Sequence, residues 1–378
     1  MSQLSSSQEK ALRKFRQRVS DISDDDHELL RWLRARNFDV DKSEAMIRNH
    51  VTIREKYDLD HVLDWTPPEV LRLYQPGRFF GEDTDGNPVF YDVSGGIDMK
   101  GLMKSARESD IIKVILQNGE KTRSILKIQS DKHGKRIDLV TVVMDLEGLS
   151  LQRHFWKRGL DLYLELIRLT ESNYPEQLKV CYVVNGPRIL SLLYGLCKPF
   201  IADETKKKIH FLGREWKDVL RKVIHPDQLP SHYGGDAMGI DGDPACGICL
   251  GGTVPEKYFL ANAGHLSKDG ADCRRATISA GHKLDVNVEV TDPESTLRWE
   301  FRTEQNDIAF ALMFKSQRTG SSSEDGEFLL AKEKKECDLI PEKGQYLCSQ
   351  TGIYTLRFDN TSSWIKSKKI FFYYDLSK

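Results

Sequence analysis

Apolar positions follow three different patterns along this chain of 378 residues, and each pattern predicts a different architecture. From residue 1 to about 75 they recur three or four positions apart, which is the period of a helix face. From 76 to 235 such stretches alternate with short β-branched runs, which predicts a mainly parallel sheet covered by helices. From 257 onward apolar and polar residues alternate, which predicts antiparallel strands in a sandwich. The stretch 236–256, rich in Gly, Pro and Asp, is interpreted as a linker.

Individual segments refine this outline. Asp41 and Glu44 have the spacing of a capping box, which predicts that a helix starts at Asp41. Buried strands are predicted at Val89–Val93, Ile137–Asp145 and Leu178–Val184. The alternating strands of the last part are predicted at 284–290, 297–301, 308–314 and 354–358.

Composition narrows the class of protein. Hydrophobic residues make up 39% and charged residues 30% of the chain, which is typical of a soluble globular protein. The net charge of −1 provides no overall field toward nucleic acid, so no nucleic-acid partner is expected. The polar first ten residues carry no secretory signal, and Ser2 rather than Gly follows Met1, which argues against myristoylation. We expect a cytoplasmic protein, and a monomer.

Motifs for catalysis are not found. The segment Gly96–Gly101 begins like a phosphate-binding loop, but Leu and Met follow it where Lys and Ser or Thr are required. Asp145 and Glu147 end a predicted strand and could act as an acid–base pair. More often such residues terminate a strand and accept backbone hydrogen bonds. Cys246 and Cys249 have the spacing of half a zinc site without a second pair. We expect no enzymatic activity, no metal and no cofactor.

The apolar run Leu192–Ile201 is followed by an acidic and then a basic turn. An apolar helix joined to a charged hinge is suited to form a movable lid over an apolar cavity. Taken alone, it more often is a core helix beside a solvated turn.

Several landmarks, taken together, resemble the CRAL-TRIO lipid-binding proteins. They are Leu29–Asp39, Asn173–Glu176, Lys198–Phe200, Thr205–Ile209, Pro226–Pro230 and Tyr233–Gly235. The segment Gly352–Thr361 and the strand around Trp299 are similar to a GOLD (Golgi dynamics) domain. The fold class implied is an α/β CRAL-TRIO lipid-binding domain, with a helical N-terminal layer at 1–75 and the lipid-binding part at 76–249. An all-β GOLD-type jelly-roll sandwich follows at 250–378.

The resemblance implies a soluble carrier that holds one lipid in a lidded apolar cavity and exchanges it transiently at membranes. Burial of each CH₂ group of such a lipid is worth about 0.8 kcal/mol. The implied ligand is an isoprenoid, such as tocopherol, squalene or retinal, or a phospholipid such as phosphatidylinositol. The alternative is a lipid-sensing adaptor whose GOLD domain recruits a partner protein.

The resemblance also assigns roles to particular residues. The lid residues are Leu192, Leu193, Leu196, Phe200 and Ile201. The headgroup residues, by analogy with phosphatidylinositol exchangers, are Arg36, Glu176, Thr205 and Lys208. Candidate wall residues from the strands are Phe90, Tyr91, Val142, Met144, Tyr182 and Val184.

Two of these assignments have alternatives. Glu176 and Lys208 could form a plain structural ion pair while Arg36 packs on its helix. Exchangers commonly carry a second basic residue after that arginine, whereas this chain has Asn37, which weakens the case for phosphoinositide binding.

In the last part, Tyr354, Trp364 and the run Ile370–Tyr374 are expected to serve mainly as sandwich core. The basic residues Lys366, Lys368 and Lys369 could form an exposed edge for a partner or simply a solvated edge strand.

Overall fold

The computed structural model describes residues 4–150, 154, 156–188, 190–262, 266, 272–316 and 326–378. These residues form two compact units. The first unit comprises the described residues up to Leu102 together with Glu108–Val254, and the second comprises Met103–Arg107 together with Pro255–Lys378.

The first unit begins with the predicted helical layer. Its helices are α1 (Ser6–Arg18), α2 (Asp26–Arg34), α3 (Val40–Tyr57) and α4 (Glu69–Tyr74). The apolar stripes of α1 and α2 meet each other, because Phe15, Leu29 and Leu33 are all fully buried in one cluster.

The predicted start of α3 is wrong by two residues. Asp39, not Asp41, is the N-cap, and its carboxylate accepts a hydrogen bond from the Lys42 backbone N–H at 3.1 Å. Asp41 lies in the first turn and pairs with Arg18 of α1.

The five-stranded sheet of the first unit confirms the predicted mainly parallel arrangement. Its strands are β1 (Arg78–Glu82), β2 (Pro88–Asp92), β3 (Val140–Asp145), β4 (Leu178–Val184) and β5 (Ile209–Phe211), in the order β1-β2-β3-β4-β5. Strands β2 to β5 are parallel and β1 is antiparallel to β2. The short edge strands β1 and β5 were not predicted from the sequence.

Six further helices lie within the described residues of this part of the chain. They are α5 (Met99–Ser105), α6 (Glu108–His133), α7 (Lys157–Asn173), α8 (Leu190–Cys197), α9 (Asp203–Lys207) and α10 (Trp216–Val223). Short 3-10 turns lie at Ser94–Gly96, Lys198–Phe200, Ser231–Tyr233 and Ile240–Gly242.

The two faces of the sheet pack against different helices. On one face, Phe90 and Val142 pack against a cluster that includes Leu126 of α6. Met144 and Leu190 of α8 pack against a second cluster, which includes Val183. We call this the α6–α8 face. The opposite face packs against α10, and we call it the α10 face. Its core residues are Val89, Tyr91, Val143, Val184, Leu220, Ile224, Leu229, Tyr233, Ala245 and Ile248.

The interpretation of 236–256 as a linker is therefore wrong for most of its length. Ala245 and Ile248 belong to the core on the α10 face, and Val254 is buried as well. Gly and Asp suit this segment because it consists of tight turns, in which the Asp243 carboxylate accepts bonds from the Ala245 and Gly247 backbone N–H groups.

The second unit confirms the predicted antiparallel sandwich. Its strands are β6 (Arg274–Ile278), β7 (Lys283–Val290), β8 (Ser295–Thr303), β9 (Ile308–Ser316), β10 (Glu327–Lys335), β11 (Glu342–Cys348), β12 (Gly352–Asp359) and β13 (Lys368–Ser377). They form two four-stranded sheets, β10-β9-β12-β7 and β11-β8-β13-β6. Short 3-10 turns at Glu256–Tyr258 and Leu260–Asn262 precede the strands.

Aromatic rings fill the space between the two sheets. Phe301 lies with its ring centroid 4.7 Å from that of Phe310 and 5.1 Å from that of Phe358. Tyr354 is part of this core as predicted, but the prediction is wrong for Trp364, which is 93% exposed.

Candidate functional site

The predicted lid is the helix α8 with the 3-10 turn that follows it. Leu190 packs on the α6–α8 face, and the Tyr194 ring lies 5.1 Å from the Phe211 ring of β5. Leu192 and Leu196 point away and are 60% and 42% exposed. The helix thus has apolar side chains on the side facing the sheet and on the side facing solvent. The side chain of Leu193 lies outside the described residues.

The end of the lid is held by α7. The Arg168 guanidinium lies 4.3 Å from the centroid of the Phe200 ring, a cation–π contact. Ile201 is half-buried and begins the hinge. In α9, Lys206 pairs with Asp203 at 2.8 Å, and Lys207 pairs with Glu204 at 2.5 Å. The basic turn is therefore largely neutralised by the acidic turn before it.

A polar group missed at the sequence level lies on the α6–α8 face. Asp92 ends β2, and the Ser94 hydroxyl donates to its carboxylate at 2.7 Å. Tyr163 of α7 lies beside both residues. Burial raises the pKa of the Asp92 carboxyl and of the Tyr163 phenol. The available signal was Asp92 itself, a carboxylate two positions after Phe90 and so on the same strand face.

Asp92 and Tyr163 combine two properties that rarely occur together. Both are deeply enclosed by protein, as the direction of their pKa shifts reflects, yet both keep accessible surface. Phe90, Val142 and Met144 on the same face are likewise only half-buried, although their strands are interior to the sheet. These partly accessible side chains lie on the sheet face that packs against α6 and α8.

The six candidate wall residues divide between the two faces. Phe90, Val142 and Met144 lie on the α6–α8 face. Tyr91, Tyr182 and Val184 lie on the α10 face, where Tyr91 and Val184 are fully buried. The strand period of two accounts for this split, because adjacent residues of a strand point to opposite faces.

Two of the four headgroup candidates pair with each other, and the other two bond to residues outside the set. The Lys208 ammonium lies 3.7 Å from the Glu176 carboxylate. The Thr205 hydroxyl donates to the Glu171 carboxylate at 3.4 Å, and burial raises the pKa of Glu171. The Arg36 guanidinium instead donates to the backbone carbonyl of Ala35 at 2.9 Å.

A surface cleft of about 400 Å³ lies beside this cluster. It is lined by Gln8, Arg34, Asn37, Phe38, Glu176 and Glu204. Arg34 rather than Arg36 lines the cleft. The two carboxylates of the lining already pair with lysines, Glu176 with Lys208 and Glu204 with Lys207.

Asp145, Glu147 and His232 approach one another at the end of β3. Their potential ligand atoms all lie within 4.8 Å, so they could hold a divalent cation. The predicted structural role of Asp145 is confirmed, because its carboxylate accepts bonds from the Glu147 backbone N–H at 2.9 Å and the Asn185 amide at 2.8 Å. Nothing in the sequence pattern indicated that His232 would lie close to this strand end.

The comparisons with known proteins agree with this architecture. The family model of the CRAL/TRIO domain matches residues 74–235, and that of the CRAL/TRIO N-terminal domain matches residues 2–49. Together they cover more than half of the chain. This chain belongs to the CRAL/TRIO family. Members of this family generally bind lipids. The sandwich lies beyond both matched ranges, so its assignment as a GOLD domain stays a prediction.

Similar proteins occur in a nematode and in a mosquito. The chain is 28% identical to "Protein ctg-1" of Caenorhabditis elegans, over 96% of this chain and 94% of that protein. It is 30% identical to "Protein real-time" of Aedes aegypti, over 82% of this chain and 50% of that protein. It is 32% identical to "CRAL-TRIO domain-containing protein T23G5.2" of C. elegans, over 78% and 41%. This chain thus spans nearly all of the first relative and half or less of the other two.

A solved structure supports the fold. The crystal structure of Sfh5 superposes with a TM-score of 0.50 at 17% identity, over 69% of this chain and 96% of Sfh5. Within the described part of the chain, each helix is too short or too polar to cross a bilayer.

Proposed function

We propose that this chain holds one lipid against the α6–α8 face and exchanges it at membranes by moving α8. The observation that carries the proposal is the enclosed yet accessible surface of Phe90, Val142 and Met144, with Asp92 and Tyr163 beside them. A long apolar ligand laid on this surface would remove it from water, at about 25 cal/mol per Å² of apolar area.

The lid supports the second half of the proposal. Leu192 and Leu196 lie one helical turn apart and are exposed, while Leu190 and Tyr194 contact the sheet. If α8 docks its exposed leucines in a bilayer, the cost of detaching Leu190 from the sheet is offset by burial in lipid. The cation–π contact between Arg168 and Phe200 would then act as the latch.

The polar group favours a neutral lipid with one hydrogen-bonding end. The Tyr163 hydroxyl can donate to such a group, and the raised pKa of Asp92 favours its neutral, hydrogen-donating form. A tocopherol-like alcohol or a retinoid fits this description better than phosphatidylinositol. Support for a phosphate site is weaker, since Arg36 bonds to the backbone and Lys208 already faces Glu176.

We also propose that the chain has no chemistry of its own. The most reactive arrangement within the described residues is Asp145 with Glu147 and His232, and Asp145 is already engaged in bonds that terminate β3. The adaptor alternative, in which the sandwich recruits a protein, stays a prediction.

The test is binding of matched ligands to matched variants of the full chain. Tyr163→Phe removes only the phenol hydroxyl and should weaken tocopherol binding roughly tenfold while sparing squalene, which has no polar group. Tyr91→Phe is the control, because the Tyr91 hydroxyl is buried on the α10 face without a hydrogen-bond partner. Equal losses for tocopherol and squalene would contradict the proposed polar end.

A second measurement distinguishes the phospholipid alternative. Native mass spectrometry of the protein purified from animal cells, followed by extraction, identifies the bound molecule. Lys208→Ala should leave tocopherol uptake unchanged. Co-purified phosphatidylinositol, and loss of its transfer in Lys208→Ala, would instead support the headgroup roles of Glu176, Thr205 and Lys208.

A further inference from the structure

Two adjacent large apolar side chains stand almost fully in solvent on the second unit. Trp364 is 93% exposed and Ile365 is 90% exposed. They lie in the connection between β12 and β13, residues 360–367, which we call the Trp364 loop. Single exposed apolar residues are ordinary on protein surfaces, but a tryptophan and an isoleucine side by side at one loop tip are not.

The Trp364 loop is held in place by hydrogen bonds at its base. Asn360 is fully buried, and its side-chain amide donates to the carbonyls of Ile278 at 3.1 Å, Ser279 at 3.2 Å and Lys366 at 3.0 Å. The Ser363 hydroxyl donates to the Lys366 carbonyl at 2.9 Å. The apolar pair is therefore presented on a fixed base, so little conformational entropy is lost when it is buried.

The charged residues next to the pair in the sequence have one sign. Between Asp359 and Asp375 the sequence has no acidic residue and three lysines, Lys366, Lys368 and Lys369. Lys368 pairs with Asp307 at 2.5 Å and Lys369 pairs with Glu304 at 3.0 Å. Lys366, directly after Ile365, makes no ion pair within the described residues.

We propose that the Trp364 loop docks the second unit on an anionic bilayer. Tryptophan prefers the membrane interface, isoleucine prefers the acyl region, and a lysine beside them meets anionic headgroups. A protein partner is disfavoured by size, because two side chains at a loop tip fall far short of the roughly 1,200 Å² that a stable protein interface buries. This proposal does not rest on the function proposed for the first unit.

The experiment is co-sedimentation of the full chain with phosphatidylcholine vesicles, with and without phosphatidylserine. The double variant Trp364→Ser/Ile365→Ser should lower vesicle partitioning roughly tenfold or more. Lys366→Glu should lower it only when phosphatidylserine is present. Leu347→Ser, an exposed apolar residue of β11 in the same unit, is the matched control and should change nothing.

Three readouts keep the proposal separate from the function proposed for the first unit. The double variant should keep the wild-type thermal midpoint, since the side chains are exposed, and should retain its bound lipid. The proposal would be overturned if the double variant bound phosphatidylserine vesicles as strongly as the wild type does. The proposal would also be overturned if light scattering showed that loss of a dimer is the only change in the double variant. The Trp364 loop would then bind a second copy of the chain.

Discussion

The two units of this protein use apolar residues in opposite ways. The sandwich closes its core, where Phe301, Phe310 and Phe358 are at most 4% exposed, and shows Trp364 to solvent. In the first unit, Phe90, Val142 and Met144 on the α6–α8 face of the sheet are only half-buried. Incomplete burial of apolar side chains within a unit and full exposure of apolar side chains on its surface are therefore two separate indications of a binding site.

Open internal surface has a thermodynamic consequence. Apolar area that stays accessible does not stabilise the folded state. Its burial would contribute about 25 cal/mol for each Å². A ligand that covers it stabilises the folded state according to its concentration and affinity. We therefore expect lipid to raise the unfolding temperature of the first unit and not that of the sandwich.

The largest expected effect comes from core truncation. Phe358→Ala should lower the free energy of unfolding of the sandwich by about 3–5 kcal/mol, because its ring packs on all sides. Met144→Ala should cost the lipid-free first unit only about 1–2 kcal/mol, because its side chain already borders accessible space. Urea unfolding of each variant without lipid measures both values. Equal losses at the two positions would argue that the α6–α8 face is as closed as the sandwich core.

A buried carboxylate gives the next effect. Asp83 accepts bonds from Lys179 at 2.7 Å, Thr141 at 2.6 Å and the Asn87 backbone N–H at 3.0 Å. These partners outweigh the effect of burial and hold the pKa of Asp83 below its usual value. Its stabilisation is thus present above the unfolded pKa and is lost as pH falls through the folded pKa.

Asp83→Asn should therefore cost about 1–3 kcal/mol at pH 7 and flatten the loss of stability in acid. Thermal melts from pH 7 to pH 3 measure both effects. Asp85→Asn is the control, because Asp85 is exposed and binds the same lysine. Asp92 has the opposite shift, so wild type should lose stability as pH rises above the unfolded pKa of this carboxyl, and Asp92→Asn should remove that loss. If Asp83→Asn lost stability as steeply as the wild type when pH falls, the result would contradict this account.

The smallest effect on stability is expected at the lid. Leu192→Ser/Leu196→Ser should change the free energy of unfolding by less than about 0.5 kcal/mol, because both side chains are exposed. The same variant should slow lipid transfer between vesicles severalfold while binding lipid normally. Ile128→Ser, exposed on α6, is the control. Normal transfer by the double variant would remove α8 from the proposed mechanism.

Much of the fold could be predicted because its signals are local. The β-branched run at 178–184 and the strict alternation at 284–290 predicted β4 and β7 almost to the residue. Edge strands such as β5 are too short to show a period. The turns around Asp243 were mistaken for a linker because Gly and Asp serve packed turns and open linkers alike.

The candidate site was less predictable because its residues meet only in space. Asp92, Ser94 and Tyr163 come from β2, a 3-10 turn and α7, and no spacing joins them. Arg36 matched its family position in sequence, yet its guanidinium bonds to the nearest backbone carbonyl while Arg34 lines the cleft.

The sequence by itself determined the CRAL/TRIO fold, the order of the longer helices and strands, and the apolar helix that we propose as a lid. These follow from periodicity and motif order, which are properties of neighbouring residues. Only the tertiary structure decided which face of the sheet keeps partly accessible side chains and which lysines form ion pairs. It also decided that Trp364 lies outside the core in which it was expected. Those outcomes depend on what packs opposite each side chain, and residues distant in the sequence supply that partner.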